Sequence, residues 1–129
     1  MNILLIIGLP GSGKSHFCKK LPSDVFYVLD DLQILDGLPE ANEQRILVIA
    51  SPNFCYPGVL RGAKRSLRKR YIGCSIQCIY FENDPDKCLA NVVYRNDGRK
   101  VENGIYLMSK HYRIPKTITP LKVWQNDKR

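Results

Sequence analysis

The chain has 129 residues, 44% of them hydrophobic and 25% charged, and carries a net charge of +8. That length suits one domain, residues 1–129, with a single core. No apolar run approaches the ~20 residues of a membrane-spanning helix, so no membrane partner is expected, while the excess of Lys and Arg favours an anionic partner, nucleic acid or nucleotide phosphate.

Ile3 to Ile7 is an unbroken apolar run without polar alternation, the pattern of a strand buried on both faces of a parallel sheet. Gly8, Gly13, Lys14 and Ser15 follow it at the G-x-x-x-x-G-K-[ST] spacing of a phosphate-binding loop. Glycines let such a loop turn its N–H groups inward, while the lysine reaches the β/γ-phosphates and the hydroxyl holds Mg²⁺. Gly8, Pro10, Gly11, Ser12, Gly13, Lys14 and Ser15 are therefore the expected donor-binding residues, with Ser15 the metal ligand. A helix over His16 to Leu21 would add its positive N-terminus. A glycine-rich turn that fits the pattern by chance is the competing reading. The strand–loop–helix context argues against it.

Val25 to Leu29 is β-branched and aromatic, a second buried strand, and it ends in Asp30-Asp31. Ligands of open α/β sheets gather beyond the carboxyl ends of the strands, so one of this pair is a candidate for the crevice. Aspartate also caps helices well, and a short turn over Leu32 to Leu35 would use one as its N-cap. Asp36 to Pro39 reads as a turn and Glu40 to Gln44 as no more than a helical turn. Ile46 to Ile49 is a third buried strand, running into Ala50-Ser51-Pro52-Asn53 at the same edge.

Gly58 to Tyr71 has helical spacing, with Val59 or Leu60, Ala63, Leu67 and Tyr71 as its buried stripe. Its remaining face carries Arg61, Lys64, Arg65, Arg68, Lys69 and Arg70, either a solvated helix face or a surface that tracks nucleic acid. Ile72 to Phe81 is a fourth strand of lower apolar purity, placed nearer an edge.

Asn83-Asp84-Pro85 opens a helix with proline at a favoured early position, and Leu89, Val92 and Val93 form its packed face. The polar stretch Arg95 to Lys100 interrupts before a helix over Glu102 to His111. Helix, basic loop, helix is the form of a mobile lid that brings arginines over transferring phosphates; a plain helical hairpin would need no arginine pair. The tail from Ile114 ends in Leu121-Lys122-Val123-Trp124, a short strand or an ordered strap. Five cysteines, an odd number without zinc-site spacing, read as buried thiols in a reducing, cytoplasmic compartment.

Taken together, Gly8 to Ser15, Asp30-Asp31, Ser51-Pro52-Asn53 and Arg95-Asn96-Asp97-Gly98-Arg99 resemble the phage-type polynucleotide 5′-hydroxyl kinase module, a P-loop kinase. The resemblance implies that Lys14 and Ser15 bind the phosphates and Mg²⁺ of an ATP or other NTP donor. It implies Asp30 as acceptor of the proton of an attacking 5′-hydroxyl on a nucleic acid, and Arg99, with Arg95 nearby, as the clamp on the phosphates. Lys14, Asp30 and Arg99 would be the catalytic set. The chain departs from that family at Gln33, where the family has an arginine, and at Ser51, where it has an aspartate. The acceptor-building segment, Gln33 to Gln44, is also short.

The expected fold is α/β, a P-loop NTPase-type parallel sheet of four to five strands flanked by helices, with a helical lid. The expected function is phosphoryl transfer to a polynucleotide 5′-hydroxyl. A kinase of a nucleoside, nucleotide or metabolite is the alternative, and a non-catalytic NTP- and nucleic-acid-binding module is a third.

Overall fold

The computed structural model describes residues 1–30, 37–95 and 102–125, with Arg95 and Glu102 as backbone alone. Strands β1 (Asn2–Ile7), β2 (Phe26–Leu29), β3 (Ile46–Ala50) and β4 (Ser75–Tyr80) form one sheet in the order β2-β3-β1-β4. Every strand pair is parallel. The helices are α1 (Lys14–Lys19), α2 (Pro57–Arg70), α3 (Pro85–Arg95) and α4 (Glu102–His111), and a 3-10 turn covers Pro52–Cys55.

β1 lies inside the sheet, as its two-sided hydrophobicity requires: Ile3, Leu5, Ile6 and Ile7 are all at most 2% exposed. Side chains alternate across the strand, so the core is split in two. Ile3, Leu5 and Ile7 pack with Leu60 and Leu67 of α2, Cys88 and Val92 of α3 and Ile105 of α4. Ile6, Val48 and Ala50 pack with Cys18 of α1 and with Phe81. Helices thus cover both faces, α1 on one and α2 to α4 on the other. Each fully buried aliphatic chain contributes roughly 1.5–3 kcal/mol.

β4 is an edge strand, and it begins later than its apolar run suggested. Ile72 is 93% exposed and Gly73 has φ +79°, so these residues turn the chain before pairing starts at Ser75. Pro85 is the first residue of α3, with Asp84 Oδ1 accepting from the Lys87 N–H at 3.1 Å as a cap. The packed face of α3 is Cys88 and Val92, four apart, with Leu89 half-buried; Val93, expected there, is 67% exposed. The tail supplies a single parallel bridge, Leu121 to Phe81, in place of a fifth strand.

Candidate functional site

Beyond Ile7 the chain leaves the sheet and turns tightly, the Ser12 N–H donating to the Leu9 carbonyl at 3.0 Å. Gly11 and Gly13 stand at φ +86° and +109°, left-handed backbone that a side chain rarely adopts. A Cβ on Gly13 would come within 2.5 Å of Trp124 Cβ, and one on Gly11 would overlap the Cys88 carbonyl. Left-handed residues set into such a turn aim N–H groups into a shared concavity that attracts anions. The N–H groups of Gly11 and Gly13 donate to no described residue.

Lys14 folds back over this loop. It is 7% exposed, and its Nζ donates to the carbonyls of Gly8 at 2.7 Å and Leu9 at 2.8 Å. The ammonium lies close enough to Cys18, Cys55 and Cys88 to favour their ionisation, but burial wins at all three. It pushes Cys18 up to about 11 and Cys55 and Cys88 up to about 12. These groups stay thiols at neutral pH and are not nucleophiles.

Ser15, next to Lys14, is exposed at the start of α1. N–H groups, an ammonium and a hydroxyl are a donor set suited to polyphosphate and Mg²⁺. Among the described residues no group of three His, Cys, Asp or Glu could hold a metal by itself. A cation here would share its coordination between Ser15 and phosphate oxygens.

Asp30 follows the last residue of β2 and is exposed. Register places it level with Ala50 and Ile6, on the edge that carries Gly8 and Ser51. Its charge raises the Cys18 pKa while that of Lys14 lowers it, so both act on one stretch of α1. Ser51 is only 2% exposed, and its Oγ accepts from the Asn53 N–H at 3.3 Å. It caps the 3-10 turn rather than facing a ligand. Arg95 closes α3, but its side chain, Arg99 and the rest of the expected lid loop lie outside the described residues, as do Asp31 and Gln33.

Sequence reasoning offered the tail as a strand or a strap but did not tie it, or Asn91 and Tyr112, to the glycine loop. The Asn91 amide of α3 donates to the carbonyls of Gly11 at 2.9 Å and Trp124 at 2.5 Å. The Trp124 N–H donates to the Ser12 carbonyl at 2.9 Å, and its ring lies 4.7 Å from that of His16. Tyr112, just past α4, donates to the Phe81 carbonyl at 2.5 Å and also approaches that of Ile7. The tail is therefore a strap across the glycine loop. Its signal in the sequence was slight: the chain's one tryptophan, set in a short apolar stretch.

Fold and site together define an α/β protein whose parallel sheet carries a strapped, glycine-rich loop at the carboxyl end of an inner strand. No family model matches the chain. An uncharacterized protein of Acanthamoeba polyphaga mimivirus is 31% identical over 107 residues, covering 77% of this chain and 76% of the viral one. The chain belongs to the family of that viral protein.

Proposed function

We propose that the chain is a P-loop phosphotransferase of the polynucleotide 5′-hydroxyl kinase type, using ATP or another NTP with Mg²⁺. The observation that carries this reading is the loop itself: left-handed Gly11 and Gly13 with Lys14 folded over them at the end of β1. Asp30 on the same edge supplies what mere binding would not need.

In this reading Lys14 and the loop N–H groups hold the donor's phosphates, and Ser15 would hold Mg²⁺, which would supply positive charge there. Asp30 takes the proton of the 5′-hydroxyl as its oxygen bonds the γ-phosphorus and the nucleoside diphosphate leaves. Arg95 and Arg99 would add charge from the lid. Phosphoryl transfer asks mainly for alignment and positive charge, and these residues offer both.

One observation favours a small acceptor instead. Only residues 30–45 separate β2 from β3, which leaves little chain to build a polynucleotide-binding wall. The test is transfer from γ-labelled ATP and GTP to 5′-hydroxyl oligonucleotides, nucleosides and nucleotides in parallel. Label on the oligonucleotides supports the first reading, and label on small acceptors alone replaces it with the second. No transfer despite tight NTP binding leaves a binding module.

A further inference from the structure

The outer face of α2 has no role in the proposed transfer, yet it is the most one-sided surface of the chain. Arg61, Lys64, Arg65, Arg68 and Lys69 recur at helical spacing and line one shallow groove of about 410 Å³. None of the five forms an ion pair with a described residue. No Asp or Glu occurs between Glu43 and Glu82, so the helix meets no carboxylate within that long stretch. Five unneutralised cations held side by side repel one another, a cost that an anionic partner would relieve.

From these observations we propose that this groove binds the phosphodiester backbone of a nucleic acid. At 1.5 Å of rise per residue, Arg61 to Lys69 spans about 12 Å, which matches about three to four phosphates of one duplex strand. Arginine's planar fork suits phosphate oxygens, and three of the five are arginine. An anionic membrane is the weaker match. The apolar stripe of α2, Leu60, Ala63 and Leu67, is buried in the core, and exposed Val59 and Ile72, at opposite ends of the helix, make no continuous face to insert between lipids. No aromatic residue lines the groove, so the contact follows the backbone and is indifferent to sequence. This inference goes beyond the proposed kinase reading, because the groove binds whether or not phosphate is transferred.

The test is fluorescence anisotropy of labelled single- and double-stranded oligonucleotides without NTP, across a range of salt. The variant is Arg61→Gln, Arg65→Gln, Arg68→Gln and Lys69→Gln together, all exposed positions where glutamine keeps the helix. Its melting temperature should match wild type. Its affinity at low salt should fall at least tenfold, and the slope of log K against log salt should flatten by about 3 on single strands. Lys14→Ala should bind the same oligonucleotides as wild type, which separates this site from the donor loop. Lys19→Gln with Lys20→Gln, at the end of α1, should also bind as wild type. The same loss in log K per charge removed in the two neutralised variants, four charges against two, would reduce the effect to net charge and overturn the proposal. Binding to phosphatidylserine vesicles but not to oligonucleotides would overturn it in favour of a membrane.

Discussion

Asp30 makes no hydrogen bond or ion pair with any described residue and stands in solvent at the strand edge. Its carboxylate therefore adds little to the fold, and Asp30→Asn should melt as wild type. In the proposed mechanism, loss of this carboxylate as base should still slow transfer by about 10²–10⁴, the usual share of general acid–base catalysis. Near wild-type transfer would move the proton acceptor elsewhere, to Asp31 first. Lys14→Ala should differ by weakening NTP affinity as well as turnover, because the ammonium itself touches the loop. Calorimetric titration beside the rate separates the two. At this scale the glycines and Lys14 were legible because their spacing is local. Ser51 was not: the same residue serves a ligand or caps a turn, and only its 2% exposure and bond to Asn53 decide.

Among the elements, the strap of Leu121 to Trp124 couples the chain's end to its first loop. Asn91 is 3% exposed and serves two carbonyls at once, so Asn91→Ala leaves both without their donor. The expected cost is about 1–3 kcal/mol in urea unfolding, together with weaker NTP binding. A change under about 0.5 kcal/mol, the range of ordinary surface substitutions, would show that the bridge does not hold the loop. Trp124 is the chain's single tryptophan, so its fluorescence reports this region. Adding Mg-ATP should shift the emission in wild type and not in Lys14→Ala. The order of strands and helices was legible from periodicity, though not the start of β4 or the place of Val93; the stripe of α2 was legible save for the choice between Val59 and Leu60, which falls to Leu60. The tail was readable as a strand or a strap, but its seat on the glycine loop was not, because its contacts join Gly11 and Ser12 to residues far along the chain and leave no local pattern.

For the whole molecule, the buried thiols tie stability to pH. Thiols that ionise near their ordinary 9.0 in the unfolded chain are held protonated by burial to about 11 for Cys18 and about 12 for Cys55 and Cys88. Between those limits the unfolded chain binds fewer protons than the folded one, so stability falls as pH rises. Melting temperature should be level up to about pH 9, the unfolded thiol range, and decline above it. A flat profile to pH 10.5 would mean that the thiols are not buried as described.

The proposed activity, transfer of a γ-phosphoryl group to a nucleic acid end, rests on the loop at the end of β1 and on Asp30 at the same sheet edge. The most direct measurement locates the label. A 5′-hydroxyl oligonucleotide incubated with γ-labelled ATP, Mg²⁺ and the protein is digested completely to 5′-mononucleotides. The account predicts all of the label on the 5′-terminal nucleotide, with the signal reduced about 10²-fold or more by Asp30→Asn. Label that never reaches the oligonucleotide, or that appears there equally with both proteins, would contradict it.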